Sequence, residues 1–479
     1  MKSFNNLCLA TLLAALSATI TAQAEVVMPS IFSDNMVLQQ NTMVAFWGKA
    51  GPGESISIRP SWEGKSYAIR AGADGLWKTR IPTPQAGGPY SITITGKNTI
   101  AYRNVLIGEV WVCSGQSNME MTMLGYMNQP VTGALEHIAT SANSKIRLLT
   151  VPRVMKLSPA GDISNAAWQV CEPGSVAGFS ATAYFFGLML HRALDVPVGL
   201  ISASWSGSRI EPWMSEETLK TFDWVTLPDK SMDPDNIPFQ TPVVMYNAMI
   251  NPIAGFGIRG AIWYQGESNR LEPERYMKLF PAMVNNWRSV WGIGEFPFYF
   301  VQIAPFDYGN PAQNSAFMRE AQQRLPAIVP NTGMACVMDT GEKDNIHPAN
   351  KKAAGDRLAY QALVKTYGIK GIECEGPSLK EMKVDGNIVK LTFNNASNGL
   401  TSYGKTLSCF EVAGANRRFY PATAVITWSG ITLFSPSVSE PVAVRYAFRD
   451  FIVGDLFNTE GLPASSFRTD NWELPLSPD

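Results

Sequence analysis

The stretch GEVWVCSGQSNMEM, residues 108–121, decides how the central part of this chain is expected to fold. It contains the end of an apolar run, residues 105–113, that is typical of a buried strand, and small polar residues then interrupt the run. Ser117 therefore follows a strand, where a turn or a helix can begin. The carboxyl edge of a parallel sheet is where α/β folds bind ligands, and a helix start offers free N–H groups to an oxyanion. Ser117 is thus a candidate nucleophile, and a plain polar turn is the alternative.

The sequence around this stretch predicts three regions. From residue 105 to about residue 370, apolar runs alternate with helical stretches, which predicts βαβ units and a mostly parallel sheet. Residues 25–104 and 371–479 instead show short alternating segments between turn signals, which predict an N-terminal β-sandwich and a C-terminal β-rich region. In the central region we expect strands at residues 105–113, 196–202, 258–264, 298–303 and 333–338, and helices at residues 181–194 and 275–291.

Composition limits the classes of partner. The 479 residues are 46% hydrophobic and 16% charged, with a formal net charge of −1 and no long Lys/Arg run, which argues against a nucleic-acid partner or an electrostatic membrane anchor. Residues 1–24 have the form of a secretory signal, with an apolar segment too short to span a bilayer. The sequence therefore predicts an exported protein, periplasmic or extracellular, without a membrane span. The cysteines show no CxxC spacing, so no zinc site is expected.

The search for a base is short because the chain has only three histidines. His347 lies in DNIHP, residues 344–348, in a loop between an apolar run and a helical stretch. Asp344, three residues earlier, can turn back to accept the imidazole Nδ1–H, which leaves Nε2 to take a proton from a serine. The alternative is that Asp344 caps the next turn and His347 is a surface residue.

Two more polar stretches follow predicted strands. In WYQGESN, residues 263–269, the Gln265 amide can donate to an oxyanion, and Glu267 can either hold the loops together or orient His347 in place of Asp344. In SASWSGSRIEPW, residues 202–213, Gly207 can present a second backbone N–H to the same oxyanion. Four strand-end loops thus supply a nucleophile, two oxyanion donors and a base.

Several of these motifs resemble the sialate O-acetylesterase family, a branch of the SGNH-type hydrolases. The resemblance is carried by GQSNM at residues 115–119, WYQGESN at 263–269 and the Asp344/His347 pair, and FSDNMVLQ at 32–39 and LPASSFRTD at 462–470 extend it to both ends of the mature chain. One departure is Ser206-Gly207, where two adjacent glycines are expected.

The resemblance implies a flavodoxin-like catalytic domain with Ser117 as nucleophile and His347 as base. It further implies an oxyanion hole from Ser117, Gly207 and Gln265, with no metal and no organic cofactor. The reaction would be hydrolysis of O-acetyl esters on a sugar, sialic acid first among them, through an acetyl-serine intermediate.

The sequence defines the sugar that carries the ester less well than it defines the acetyl ester itself. Arg209 can bind the carboxylate of sialic acid through two charge-assisted hydrogen bonds, or it can pair with Glu211 to brace the loop. Trp213 and Asn118 are further candidate substrate contacts. Acetyl-xylan esterases have similar core motifs, so an acetylated xylan is the alternative substrate.

Two other classes stay open. A non-catalytic carbohydrate-binding protein would lack the base, whereas Ser117 and His347 are both present. A glycosidase would need two carboxylates about 5 or 6.5–9.5 Å apart, which Glu267 and Asp344 could provide, but the serine would then be idle.

Overall fold

The computed structural model of the chain describes residues 25–310 and 314–472. The predicted signal segment, residues 1–24, lies outside these ranges. Within them, no helix is long and apolar enough to cross a lipid bilayer.

The N-terminal region is β-rich, as the sequence predicts. Its strands are β1 (Val37–Gln39), β2 (Met43–Lys49), β3 (Ser55–Pro60), β4 (Tyr67–Arg70), β5 (Leu76–Pro82), β6 (Gly87–Thr95) and β7 (Thr99–Gly115). Strands β2 and β5 form an antiparallel pair, and β3, β4, β6, β7 and β1 belong to a second sheet. Ile58 lies opposite Ile94, and both side chains are buried, so the period-two alternation places one face of this sheet in the core.

Strand β7 joins the N-terminal region to the central sheet without a linker. Its first part pairs with β6 and β1, and its last seven residues pair with strands of the central sheet. The change of sequence pattern at residue 105 therefore falls inside one continuous strand. The positions of the domain boundaries stay a prediction.

The central region is an α/β layer structure. Its other strands are β8 (Asn143–Thr150), β9 (Gln169–Cys171), β10 (Val198–Ser204), β11 (Gly260–Tyr264), β12 (Phe298–Val301) and β13 (Thr332–Ala335). Its helices are α1 (Ser117–Glu120), α2 (Ala134–Ala139), α3 (Pro173–Ala177), α4 (Ala181–Leu194), α5 (Glu216–Leu219), α6 (Pro273–Trp291), α7 (Ala316–Ile328) and α8 (Lys351–Lys365). Helix α4 has the predicted bounds, whereas α6 starts two residues before the predicted helix and continues through Pro281.

The sheet order is that of a flavodoxin-like fold. The strands lie in the order β9-β8-β10-β7-β11-β12-β13, and all neighbouring pairs except β8/β9 are parallel. If the five core strands are numbered 1 to 5 along the chain (β7, β10, β11, β12, β13), their order in the sheet is 2-1-3-4-5. Strands β8 and β9 extend the sheet beyond strand 2. The topological switch point, where ligands bind in such sheets, therefore lies between β7 and β11.

Helices cover both faces of this sheet because successive residues of each strand point to opposite sides. Trp111 and Cys113 of β7 pack in one core with α4 and α8, while Val110 and Val112 pack in another with α6 and the N-terminal strands. Burial on both faces explains why these strands are mostly apolar and do not alternate between apolar and polar residues.

The C-terminal region is β-rich, as predicted. Strands β14 (Ser378–Asp385), β15 (Ile388–Asn394), β20 (Gly430–Phe434) and β19 (Thr423–Thr427) form one sheet, and β18 (Phe419–Pro421), β17 (Phe410–Ala413), β21 (Ala443–Tyr446) and β23 (Phe467–Arg468) form another. The pair β16 (Leu400–Thr401) and β22 (Phe457–Asn458) completes the region. Met338, just beyond β13, belongs to the core of this region, so the two parts share an interface.

Candidate active site

The ends of β7 and β11 meet at the switch point. Gly115 has φ +138°, and a Cβ there would lie 2.1 Å from the carbonyl oxygen of Tyr264. Only glycine allows this approach. The N–H of Gln116 donates to the same carbonyl oxygen at 2.9 Å, and the Gln116 side-chain oxygen accepts from the N–H groups of Gly266 and Ser268, each at 3.3 Å. The loop before Ser117 is thereby fixed to the loop after β11.

Ser117 is the first residue of α1 and is 4% exposed. Its N–H belongs to the first helical turn, where N–H groups have no intrahelical partner. The hydroxyl of Tyr126 donates to the Ser117 carbonyl oxygen at 3.2 Å. The backbone position of this serine is therefore fixed from the strand side and from the following loop.

The loop that carries His347 reaches the same place. The His347 ring packs edge-on against Tyr126, with 5.2 Å between ring centroids. The Asn118 amide donates to the Ile346 carbonyl oxygen at 3.1 Å. Tyr126 and Asn118 therefore join the nucleophile segment to the histidine loop. No hydrogen bond links the Ser117 and His347 side chains in the part of the chain that the structure describes; such contacts are often long before substrate binds.

The partner of His347 Nδ1 is Gln129, at 2.6 Å between Nδ1 and Oε1. An amide oxygen accepts, so Nδ1 carries the hydrogen and Nε2 is left free to take a proton. Gln129 lies outside every motif that the sequence analysis singled out, and no spacing in the sequence relates it to His347.

The environment of His347 favours the neutral imidazole. Burial and, second, the positive charge of Lys351 lower the pKa of His347 to about 4. No carboxylate contributes to this shift.

The expected contact between Asp344 and His347 is not observed. Asp344 is exposed, and Asn345 shapes the loop instead: its side-chain oxygen accepts from the His347 N–H at 3.0 Å, and its amide donates to the His347 carbonyl oxygen at 2.9 Å. This turn sends the His347 ring inward and leaves the Asp344 side chain outside.

Glu267 does not contact His347 either. It is buried and accepts from the Asn118 amide at 2.6 Å, and its second oxygen has no partner among the described residues. Burial raises the pKa of this carboxyl group. Asn118 is itself fully buried, with Glu267, Ile346 and Lys351 as side-chain partners. The expectation that Asn118 contacts substrate is therefore corrected: it links loops behind the nucleophile.

Besides Ser117, two oxyanion donors are expected, Gly207 and Gln265, and their positions relative to the nucleophile differ. Gly207 lies in the loop that follows β10, with φ +70°, and its carbonyl oxygen accepts from the Ser268 hydroxyl at 2.9 Å. The N–H of the preceding Ser206 donates to Glu120 of α1, which brings this loop against the nucleophile helix. Gln265, in contrast, is fully buried, and its amide donates to the Ser208 carbonyl oxygen at 3.2 Å and to Asn269 at 2.8 Å. The structure therefore does not direct the Gln265 amide toward the nucleophile.

The remaining candidate substrate contacts, Arg209 and Trp213, both have partners within the protein. Arg209 forms ion pairs with Glu211, at 2.9 Å, and with Glu272. Trp213 is fully buried, and its indole N–H donates to the Ser208 hydroxyl at 3.0 Å. The ion pairs of Arg209 agree with the alternative interpretation, that it braces the loop. Trp213 lies in the core, where its indole N–H has a partner.

In the described ranges, no group of three or more His, Cys, Asp or Glu side chains could hold a metal ion.

A serine after the first strand of a flavodoxin-like sheet, with a neutral histidine on a neighbouring strand-end loop, is an arrangement typical of serine hydrolases. The model of the family described as "Carbohydrate esterase, sialic acid-specific acetylesterase" matches residues 107–364, more than half of the 479-residue chain, and the chain belongs to this family.

Known proteins similar to this chain agree with that assignment. The sialate O-acetylesterase of Homo sapiens is 31% identical over 473 residues, which cover 88% of this chain and 87% of that protein. The sialate O-acetylesterase of Mus musculus is 28% identical over 489 residues, 88% of each chain. A crystal structure of a carbohydrate acetylesterase from Xanthomonas citri superposes with a TM-score of 0.85 at 33% identity, and the match covers 93% of this chain and 100% of that one.

Proposed function

We propose that this protein removes O-acetyl groups from sugars, O-acetylated sialic acids first among them, with Ser117 as nucleophile and His347 as general base. The observation that carries the proposal is the position of His347, with Nδ1 bonded to Gln129, on a loop joined to the Ser117 segment.

Acylation begins when Ser117 Oγ attacks the acetyl carbonyl carbon and His347 Nε2 takes the hydroxyl proton. The carbonyl oxygen becomes an oxyanion, which the N–H groups of Ser117 and Gly207 stabilise. The bond from the carbonyl carbon to the sugar oxygen then breaks, and the imidazolium gives its proton to that oxygen. The products are the free sugar hydroxyl and an acetyl-serine.

Deacylation follows the same steps with a water molecule as the attacking group. His347 takes a proton from the water that attacks the acetyl carbon, and Ser117 Oγ leaves with that proton. Acetate is released, so one ester and one water give one alcohol and one carboxylic acid.

A second candidate substrate class is a neutral acetylated polysaccharide such as acetyl-xylan. It is favoured by the pairing of Arg209 with Glu211 and Glu272, which leaves this guanidinium engaged with the protein's own carboxylates. The preference for sialate rests on the family and on the names of the similar proteins.

The test of the reaction uses Ser117→Ala and His347→Ala. We expect each variant to fold and to lose activity on p-nitrophenyl acetate by about 10³-fold or more, because the two residues act as one unit. Wild-type activity in folded Ser117→Ala would exclude Ser117 as nucleophile, and activity on p-nitrophenyl glycosides would indicate a glycosidase.

The substrate class is tested by acetate release from acetylated sialic acids and from acetyl-xylan with the same enzyme. The higher kcat/KM decides between them. A folded protein that binds these sugars and releases no acetate would be a carbohydrate-binding protein. We also propose that the protein is exported, on the basis of the sequence of residues 1–24.

A further inference from the structure

Lys351 is a buried cation behind the proposed site. It is the first residue of α8 and is 2% exposed, and its Nζ donates to Asn118 Oδ1. No carboxylate of the described residues lies within ion-pair distance of it. A positive charge is unfavourable both in the interior and at a helix N-terminus. The protein therefore has to compensate for this ammonium group by another route.

The compensation runs through Asn118. Its amide oxygen accepts from Lys351, and its amide nitrogen donates to Glu267 Oε1 at 2.6 Å. The buried ammonium and the buried carboxylate are thus bridged by one neutral side chain. Burial lowers the pKa of Lys351 to about 7, while the charges of Glu267 and Glu342 act to raise it. The Tyr264 ring also faces the ammonium, with 6.0 Å from Nζ to the ring centroid.

The same bridge reaches both proposed catalytic groups. Asn118 follows Ser117 in α1, and its amide also donates to the carbonyl oxygen of Ile346, next to His347. Removal of the Lys351 hydrogen bond would leave the Asn118 amide held only through its nitrogen, by Glu267 and the Ile346 carbonyl oxygen. Its position between the nucleophile helix and the histidine loop would then be less well fixed.

Lys351 also acts on His347 through its charge. The groups that face the imidazole are the Gln129 amide and the Tyr126 ring from one loop and Lys351 from α8. Glu342, in the histidine's own loop, is bonded to the Asn345 amide and to the Ala349 N–H. Lys351 is therefore the charged group that opposes a second positive charge on the ring.

We infer that Lys351 is a positioning residue of the proposed esterase reaction: its buried ammonium holds the Asn118 amide between the nucleophile helix and the His347 loop, and it places a positive charge at the start of the helix that follows that loop. This inference rests on the proposed function. The chemical contact with substrate is made by Ser117 and His347, and Lys351 acts through them.

The first experiment measures the titration of His347 directly. With only three histidines in the chain, ring resonances of ¹⁵N-histidine-labelled protein can be assigned with His347→Gln. Ser117→Ala protein serves as the parent, so the measurement does not depend on activity. We expect a His347 midpoint well below about 6.5 in the parent and a higher midpoint in the Ser117→Ala/Lys351→Met double variant, because the substitution removes one of the two causes that lower the pKa of His347.

The matched control is Lys352→Met in the same Ser117→Ala parent. Lys352 is the next residue of α8, and its ammonium pairs with Asp356 and acts on His137. We expect this change to leave the His347 midpoint where it was. A His347 midpoint unchanged by Lys351→Met, or one near 6.5 or above in the parent, would overturn the inference. If the Met variant does not fold, Lys351→Gln carries the same comparison.

The second experiment follows kcat/KM on p-nitrophenyl acetate against pH in Lys351→Met with Ser117 intact. We expect the acidic limb to move to higher pH by the same interval as the His347 midpoint. A merely structural role would lower kcat/KM equally at every pH and leave the limb in place. If Ser117→Ala kept full activity, Ser117 would not be the nucleophile and the proposed function would fail. The effect of Lys351 on the pKa of His347 would still be decided by the titration, which does not depend on activity.

Discussion

Replacement of Gln129 by leucine tests which group orients His347, the proposed general base. The Gln129 side chain is the acceptor of the His347 Nδ1–H at 2.6 Å, while its backbone N–H and carbonyl oxygen are bonded to Tyr126. The backbone bonds survive the substitution, so we expect the loop to keep its shape. What is lost is the bond that fixes the ring and selects the tautomer with a free Nε2.

The size of the expected loss in Gln129→Leu follows from the His347 Nδ1–H, which is left without a partner in a half-buried site. Such a loss costs about 1–3 kcal/mol, which corresponds to a fall in kcat/KM of roughly 5- to 150-fold. Gln129→Glu gives a second, opposite perturbation. A carboxylate in the same place stabilises the imidazolium and raises the pKa of His347 by about one to three pH units, so the acidic limb of the profile should move upward by that interval.

The assay is kcat/KM on p-nitrophenyl acetate from about pH 4 to 8, with Asp344→Asn as the matched control. Asp344 is exposed and makes no contact with His347, so we expect its variant to keep nearly the wild-type rate. A larger loss from Asp344→Asn than from Gln129→Leu would refute the reasoning, because it would assign the orienting role to Asp344 in the working enzyme.

Three further outcomes follow from the site. Because the pKa of His347 is lowered to about 4, the neutral base persists as pH falls, and wild-type kcat/KM on p-nitrophenyl acetate should stay near its neutral-pH value down to about pH 5; a midpoint near 6.5 would contradict this. Arg209→Ala should lower the free energy of unfolding in urea by about 1–3 kcal/mol and reduce activity equally on p-nitrophenyl acetate and acetylated sialic acid; a selective rise in KM for the sialic acid would show that Arg209 reads the substrate. Gln129→Glu should also lower the ratio of kcat/KM on an acetylated sugar to kcat/KM on p-nitrophenyl acetate. The leaving sugar oxygen must be protonated, and the His347 imidazolium beside a carboxylate is a weaker acid that protonates it less well. An unchanged ratio would show that proton donation does not limit the reaction.

The sequence predicts the elements of the central fold well because burial leaves a strong local signal. Strands buried on both faces are mostly apolar, and helix α4 is an apolar segment, buried over most of its first half, with Ser180 as its N-cap. The predicted position of Ser117 after β7 follows from the same pattern. The continuity of β7 could not be predicted, since a strand that changes its partners part-way carries no mark of the change.

The contacts within the site depend on segments far apart in the chain. Gln129 and His347 are 218 residues apart, and Lys351 and Asn118 are 233 residues apart, and no periodicity relates such pairs. Asp344 is the expected partner of His347 because it is close in sequence, but Asn345 forms the turn that directs the two side chains apart. Proximity along the chain was therefore a poor guide to contact in a loop whose shape is set by its own side-chain hydrogen bonds.

The two unpredicted neighbours of His347 act in the same direction. Gln129 orients the ring with a neutral oxygen, and Lys351 places a positive charge near it, so an imidazolium formed by His347 in the proposed reaction would have no carboxylate among the described residues to stabilise it. A histidine in this environment is a weaker base than one held by a carboxylate, but its protonated form is a stronger acid. The alkoxide of a sugar is a poor leaving group unless it is protonated as the bond to the acetyl carbon breaks. We infer that the surroundings of His347 favour delivery of the proton to the departing sugar oxygen, the step in which an acetylated sugar differs most from an activated ester.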